Sequence, residues 1–411
     1  MKPLALAIPI CSLALLTASS FAQPIKGGWV VCTRDLQLRE ALIDRADENE
    51  LMLVNSYGIR SVVSIDQVLF MVRSESIEPV TQAEIMGAPM QERSPVRLIT
   101  LHDGQAIRGS IRESDLPEEL ALQLIAGKSV HGEAHIPLEH VLRIEDQDAP
   151  SMRVELRDDL LIARNGDRFE GFIESIGPSV RMSLNNGSEI EIEAARLASM
   201  HIANDPEQID GVYLSFSDRE QLRVLGFDVS SSQSIRVRVD TDSLGLADTG
   251  SNEWRFDAGS LTGLRVIDDQ ASVVALSTLD PSSVEPMGDR VWAQRPTVIN
   301  EHAGHPALMG LDLHSPVRVS YTLPVGATRF ACVLEAPIER WTDCIARVRV
   351  VTPSGTRTLG EHRLRAQSAN AELNLQLPRN SETLVIEIDP GEYGPIQDRV
   401  LLLRPRVLIG E

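Results

Sequence analysis

The chain has few of the features that mark disulfide scaffolds, membrane proteins or nucleic-acid-binding proteins. Its 411 residues include only four cysteines, too few for a disulfide framework. No stretch reaches the roughly 18 apolar residues of a membrane-spanning helix. Lysine and arginine number 39 against 59 aspartates and glutamates, which gives a net charge of −20. Because this surface repels phosphate backbones and anionic headgroups, we predict no nucleic acid partner and no membrane insertion.

The motifs of common enzyme and metal sites are also missing. There is no G-x-S-x-G elbow, no H-E-x-x-H, no phosphate-cradling glycine loop and no calcium-binding loop of the D-x-[DN]-x-[DN]-G type. His302, His305 and His314 would be the candidates for a zinc cluster, but scattered histidines in a glycine-containing loop are more often exposed. We predict no catalytic residue, no cofactor and no metal. A hydrolase with a carboxylate pair that the sequence does not reveal stays open as an alternative.

The beginning of the chain has the pattern of an export signal. Lys2 precedes an apolar run from Leu4 to Leu16, and Ser20-Phe21-Ala22 ends in a small residue suited to cleavage. We predict a signal peptide over 1–22, with a membrane anchor as the alternative. The mature protein would be secreted, or located in the periplasm or cell envelope.

Three cysteines remain after that segment, at Cys32, Cys332 and Cys344. An exported protein can form disulfides. Cys332 and Cys344 are 12 residues apart, a spacing that allows a pair across neighbouring strands or two buried free thiols. Cys32 is interpreted as a small core residue.

The first two thirds of the chain repeat a pattern of short alternating strands around two glycines. Gly104 and Gly109 have the same spacing as Gly166 and Gly171, and Asn186-Gly187 is a strong hairpin signal. Weaker copies begin near Leu36 and Val212. With only 4% aromatic residues and abundant aliphatic ones, this predicts an all-β protein with tandem small β-barrels of SH3-like or Sm-like pattern. Two larger sandwiches of paired copies, or one continuous array, are the alternatives.

The predicted domain boundaries follow these copies. The four barrels would cover 23–72, 94–150, 151–205 and 206–270. A proline-containing linker would cover 73–93. The segment 273–411 has many strands about ten residues apart, which is typical of a β-sandwich.

This last segment resembles the NPCBM family of carbohydrate-binding modules, which are galactose-binding-like jelly rolls. The matching blocks occur in order: Leu276 to Pro281, Gly310 to Pro316, Tyr321-Thr322-Leu323 with Phe330, and Asp398 with Pro405 to Val407. The resemblance implies a C-terminal jelly-roll β-sandwich and a sugar ligand. Leu402 stands where the family has a tryptophan, Val333-Leu334-Glu335 lacks a glycine, and Val317 replaces a serine.

Four residues of this module are the candidate ligand contacts: Trp341, His314, Tyr393 and Asp398. Sugar sites combine an aromatic face with converging polar groups. Each candidate also has a structural interpretation, with His314 bonded to a loop carbonyl, Trp341 covering one end of the sandwich and Asp398 fixing the last turn. Tyr321 alternates with Val319 and Leu323, which predicts that it packs inward.

Two main functional hypotheses follow. The first is an exported, non-catalytic protein that recognises a glycan or polysaccharide through its C-terminal module. The second is an envelope scaffold whose tandem barrels bind other envelope proteins while the jelly roll is structural. An exposed Trp341 beside polar groups favours the first, and an apolar groove or open edge strand in the barrels favours the second.

Overall fold

In the computed structural model, the described residues are 28–74, 96–126, 129–146, 156–207, 209–229, 234–240, 244, 252–268, 271–299, 308–338, 342–394 and 399–410. The predicted signal peptide and nearly all of the predicted linker lie outside them. The fold is all-β, as the sequence predicts, with short 3₁₀ turns between strands. Among the described residues, no helix has the length and apolar character needed to cross a membrane.

The described residues between 29 and 267 form four consecutive groups of five strands, called units 1 to 4 from here on. In every unit a single 3₁₀ turn separates the fourth strand from the fifth. Unit 1 comprises β1 (Trp29–Thr33), β2 (Leu38–Asp47), β3 (Glu50–Val54), β4 (Arg60–Ser64) and β5 (Val68–Arg73). Unit 2 comprises β6 (Val96–Leu101), β7 (Ala106–Ile111), β8 (Glu119–Ala126), β9 (Ser129–Pro137) and β10 (Val141–Asp146). Unit 3 comprises β11 (Asp159–Ala163), β12 (Arg168–Ile176), β13 (Ser179–Leu184), β14 (Glu189–Glu193) and β15 (Leu197–His201). Unit 4 comprises β16 (Gly211–Phe216), β17 (Gln221–Val229), β18 (Ser234–Val239), β19 (Glu253–Asp257) and β20 (Leu261–Ile267).

The strands of each unit pair in the same order. The first four form an antiparallel meander, and the fifth returns to pair with the first. The turn after the first strand is closed by the same backbone bond in all four units, donated by Leu36, Gly104, Gly166 and Arg219 to the carbonyl three residues earlier. These four donors all have positive φ, between 60° and 92°. The repeat is therefore conserved in backbone geometry even where glycine is absent.

The units associate through their fifth strands, in a nested order. β10 pairs with β15 and so joins units 2 and 3. β5 pairs with β20 and joins units 1 and 4. β17 adds short pairings with β2 and β7. Units 1 to 4 therefore form one 20-strand network that shares a continuous apolar core.

Buried arginines tie neighbouring units together. Arg97, in unit 2, is 1% exposed and donates to the carbonyls of Ala194 at 2.7 Å and Leu197 at 2.9 Å in unit 3, besides pairing with Asp146. Arg108, also in unit 2, is fully buried and lies 2.6 Å from Asp218 of unit 4. Because a buried charge is costly without partners, these contacts fix how the units dock.

The C-terminal part is a sandwich of two antiparallel sheets. In several of its strands buried positions alternate with half-buried or exposed ones, as in strands with one buried face. The first sheet contains β21 (Ala271–Ala275), β23 (Thr297–Ile299), β24 (Gly310–His314), β26 (Ala327–Glu335), β29 (Asn370–Gln376) and β31 (Arg399–Gly410). The second contains β22 (Ser283–Pro286), β25 (Val317–Thr322), β27 (Asp343–Thr352), β28 (Gly355–Arg365) and β30 (Thr383–Pro390).

The space between these sheets is filled by a second apolar core. Tyr321 is 1% exposed, as its alternation predicts. Leu402, at the position of the family's closing tryptophan, is also fully buried in this core. Cys332 lies on β26 and Cys344 on β27, in different sheets, and both are buried free thiols. Of the two arrangements that the sequence left open, the structure has the free thiols.

Unit 1 packs against the outer face of the first sandwich sheet. Val30, Phe70, Ala331 and Leu408 are among the buried residues of this interface. Arg406 is buried beneath it, and its guanidinium donates to the carbonyl of Leu36. Burial raises the pKa of the thiols of Cys32 and Cys332, which flank Arg406, to about 12. Both thiols are therefore protonated and unreactive at neutral pH.

Candidate functional site

One end of the sandwich gathers the candidate residues, and strand register shows why. The end of β22 at Pro286 pairs with Val317, the start of β25, and Val317 pairs with Ile388 near the end of β30. His314, the last residue of β24, pairs with Arg399, the first of β31. The segments that follow β22, β24, β26 and β30 therefore meet at the same end, which we call the loop end.

On the first sheet, the loop end carries an ion-paired carboxylate. Asp312 accepts two hydrogen bonds of 2.8 Å from Nε of Arg399, whose Nη2 lies 2.7 Å from Oδ2 of the same carboxylate. Nε2 of His314 is 3.5 Å from that Oδ2. The carboxylate is nearly buried, whereas the His314 side chain is 40% exposed and that of Arg399 is 47% exposed. Both the imidazole and the guanidinium are therefore partly accessible to solvent.

On the second sheet, Asp343 is the centre of a denser cluster. Its buried carboxylate accepts bonds from Nε and Nη2 of Arg363 at 2.7 and 2.6 Å and from Nε of Arg365 at 3.2 Å. It also accepts the backbone N–H of Glu392 at 2.8 Å. Hydrogen bonding to Arg363 is the main cause that holds the pKa of Asp343 well below its usual range. The carboxylate thus stays charged and orients two arginines at the loop end.

Asp343→Asn is expected to lower the free energy of unfolding at pH 7 by roughly 1.5–3 kcal/mol, since it weakens charge-assisted hydrogen bonds to a buried group. The folded-state pKa is depressed, so this stabilisation is present above the ordinary carboxyl pKa of about 3.9 and is lost as pH falls toward the folded value. Urea unfolding at neutral pH and near pH 3 should show the difference between variant and native protein shrinking in acid. Asp289→Asn, at an exposed position of the same end, is the control. An equal difference in unfolding free energy at both pH values would contradict the lowered pKa of Asp343.

Exposed aromatic side chains accompany these polar groups. Trp292, in the segment after β22, is 62% exposed, and the guanidinium carbon of Arg290 lies 5.9 Å from the centre of its ring. Tyr393, in the segment after β30, is 49% exposed. Aromatic faces beside oriented donors are the combination that binds the C–H and O–H faces of a sugar.

The structure places two of the four predicted contacts, His314 and Tyr393, at the loop end. Trp341 and Asp398 lie outside the described residues. Among the described residues, His314 lies against the carboxylate of Asp312. His302 and His305 of the possible zinc cluster also lie outside the described residues. Within the described ranges, no three His, Cys, Asp or Glu side chains come together in a way that would hold a metal ion.

Sequence reasoning missed the arginines of the loop end. Arg363, Arg365 and Arg399 each sit on a strand at a position that alternation marks only as outward-facing. Their carboxylate partners are 20 to 87 residues away in the chain. Trp292 is not among the four contacts predicted from the sequence, and the one available signal for it is its placement in a proline- and glycine-containing connection.

The chain matches no family model and no curated protein. Among solved structures, CBM51 from Clostridium perfringens GH95 in complex with methyl-galactose is 11% identical with a TM-score of 0.25, covering 33% of this chain and 99% of that one. The tandem CBM51 modules of the Streptococcus pneumoniae family 98 glycoside hydrolase are 13% identical with a TM-score of 0.27, covering 78% and 89%. The CBM51-2 and INT domains of Clostridium perfringens ZmpB are 14% identical with a TM-score of 0.26, covering 49% of this chain and 45% of that one. Each of these solved structures contains a carbohydrate-binding module.

Proposed function

We propose that this is an exported, non-catalytic protein that binds carbohydrate at the loop end of its C-terminal sandwich. The proposal rests on strand register, which brings the segments of the exposed Trp292 and Tyr393 to the same end as the ion-paired guanidinium groups of Arg363, Arg365 and Arg399. Aromatic rings supply stacking faces, and fixed N–H groups supply hydroxyl recognition. The proposal includes an NPCBM-like C-terminal module and a signal peptide over 1–22. It also includes the domain boundaries predicted from the sequence.

The carboxylates of the loop end support binding over catalysis. Glycoside hydrolysis needs one carboxyl group that is protonated near neutral pH. The pKa of Asp343 is shifted the other way, and its oxygens are taken by two arginines and a backbone N–H. Asp312 is likewise held by Arg399. These carboxylates orient donors, which is a recognition role.

Trp292→Ala is expected to weaken glycan binding about tenfold or more, because a solvent-exposed ring that becomes buried under a ligand contributes its transfer free energy to binding. The test is a glycan array with the full-length protein, followed by titration calorimetry with the best ligand. Tyr57→Ala, in unit 1, removes another exposed aromatic ring and is the control.

The glycan array and the titrations test both the carbohydrate-binding function and its location at the loop end. Binding that is lost in the Trp292 variant and kept in the Tyr57 variant supports a site at the loop end. No binding by the folded protein across plant, animal and bacterial glycans would overturn the function. Binding that survives Trp292→Ala and a Tyr393→Ala variant would overturn the location.

A further inference from the structure

A groove of about 590 Å³ opens where units 2 and 3 meet, and the glycan proposal does not use it. Unit 2 contributes Glu118, Leu138 and Glu139 to its lining, and unit 3 contributes Asp158, Phe172 and Glu174 among others. The groove is therefore a composite of two units joined by the pairing of β10 with β15.

The walls of the groove are held in place by buried polar contacts. Asp159 accepts the N–H groups of Ile173 at 2.7 Å and Ala203 at 2.8 Å. The Asn204 amide donates to the carbonyls of Leu138 and Val141, both at 2.8 Å. The Asp159 bonds hold unit 3 and the segment after it together, and the Asn204 bonds cross from that segment to unit 2. The groove is therefore formed before any ligand arrives, and a partner would not have to order it.

The lining of the groove is acidic. Glu118, Glu139, Asp158 and Glu174 are exposed carboxylates, and among the lining residues the guanidinium of Arg157 is their only cationic counterpart. Beyond the groove, Glu189, Glu191 and Glu193 of β14 face solvent, with the exposed Arg181 of β13 opposite Glu191. A groove lined mainly by carboxylates favours a cationic partner, and the net charge of −20 adds long-range attraction for it.

An exposed aromatic ring lies in the middle of this acidic surface. Phe172 is 67% exposed on β12, one residue after the close-packed Gly171, and pairs in register with Ser183. The same repeat position holds Leu42 in unit 1, Ser110 in unit 2 and Leu225 in unit 4. Unit 3 thus has the largest apolar side chain of the four at this position, and it has it beside the groove. An exposed phenylalanine in a preformed groove is typical of a peptide anchor site.

We propose that this groove binds an extended basic polypeptide segment that places lysine or arginine against the four carboxylates and an apolar side chain against Phe172. The partner class follows from charge and shape: the carboxylates select a cation, and the elongated surface along β12 to β14 suits a strand-like chain. The site lies in units 2 and 3, so it stands independently of the glycan site.

The test uses the full-length protein and a fluorescein-labelled synthetic peptide of nine residues in which lysine alternates with leucine and valine. Fluorescence anisotropy should show saturable binding that weakens at least severalfold when salt rises from about 0.05 M to about 0.5 M, as expected for a screened charge interaction. Phe172→Ala should weaken binding about tenfold, the effect of losing one buried apolar anchor. The double variant Asp158→Asn, Glu174→Gln should weaken it severalfold and flatten the salt dependence.

Leu225→Ala is the matched control, because Leu225 occupies the equivalent exposed position of unit 4 and is 55% exposed. Binding by the Leu225 variant should equal that of the native protein. A peptide with glutamate in place of lysine should not bind. The proposal is overturned if Phe172→Ala and Leu225→Ala weaken binding equally. It is overturned as well if the glutamate peptide binds as tightly as the lysine peptide, or if the lysine peptide does not bind at low salt. It is also overturned if Phe172→Ala abolishes self-association of the protein measured by sedimentation, since a second copy would then occupy the groove.

Discussion

Replacing Arg108 with leucine is expected to lower the free energy of unfolding by about 3–5 kcal/mol, the largest effect of any exchange considered for this chain. Arg108 is fully buried, and its Nη2 lies 2.6 Å from Asp218 and 3.0 Å from Glu220. Both carboxylates are themselves buried. Leucine would leave two buried negative charges without their guanidinium, and that uncompensated charge is the source of the loss.

The measurement is urea unfolding followed by circular dichroism, with the midpoint and slope compared between variants. Arg255→Ala is the control, because the Arg255 side chain is 76% exposed and its ion pair with Glu253 is long, at 4.0 Å. This substitution should lower the free energy of unfolding by less than about 0.5 kcal/mol. The triple variant Arg108→Met, Asp218→Asn, Glu220→Gln should recover most of the loss, since no buried charge remains. A single variant as stable as the control would show that the cluster does not hold units 2 and 4 together.

Gly171→Ala is expected to cost about 3 kcal/mol, at the upper end of what overpacking a folded core costs. A Cβ at this position would lie 2.1 Å from the carbonyl oxygen of Ser183 and 2.9 Å from Cα of Leu184. Both atoms belong to the backbone of β13, so relief requires the two strands to separate. The loss comes from this displacement, because the backbone of Gly171 lies outside the positive-φ region.

The same unfolding experiment tests this substitution, with Gly360→Ala as the control. A Cβ on Gly360 would meet nothing closer than 3.5 Å, from Nε2 of His362. Its exchange should change stability by no more than about 1 kcal/mol in either direction. Equal losses in the two variants would mean that the loss comes from glycine's flexibility and not from the close approach of β12 to β13.

The repeat pattern could be predicted well where glycines mark it and poorly elsewhere, for a reason visible in the backbone. Gly104 and Gly166 supply the positive φ that the first turn of each unit requires. Leu36 and Arg219 adopt the same conformation, with φ of 60° and 69°. Nothing in a leucine or an arginine predicts positive φ, so the copies in units 1 and 4 look weaker in sequence than they are in structure.

The sequence named His314 and Tyr393 as candidate contacts from their residue types and the family resemblance. That their segments lie at one end of the sandwich follows from strand register. The ion pair of Asp312 with Arg399 joins positions 87 residues apart, and it depends on register between β24 and β31 that no local pattern gives. Leu402, at the position where the NPCBM resemblance expects a tryptophan, packs in the core, and the exposed tryptophan of the described loop end is Trp292.

The nested pairing of fifth strands has a consequence for synthesis. Units 2 and 3 are neighbours in the chain, so β15 is synthesised soon after β10 and can pair with it early. The free edge of β5 must wait until residues 261–267 have left the ribosome, because β20 is its partner. Closing so long a loop is slow, and an open strand edge can pair with other chains in the meantime. The innermost pair therefore matures first, and the N-terminal unit is the part of the nascent chain that most needs protection from aggregation.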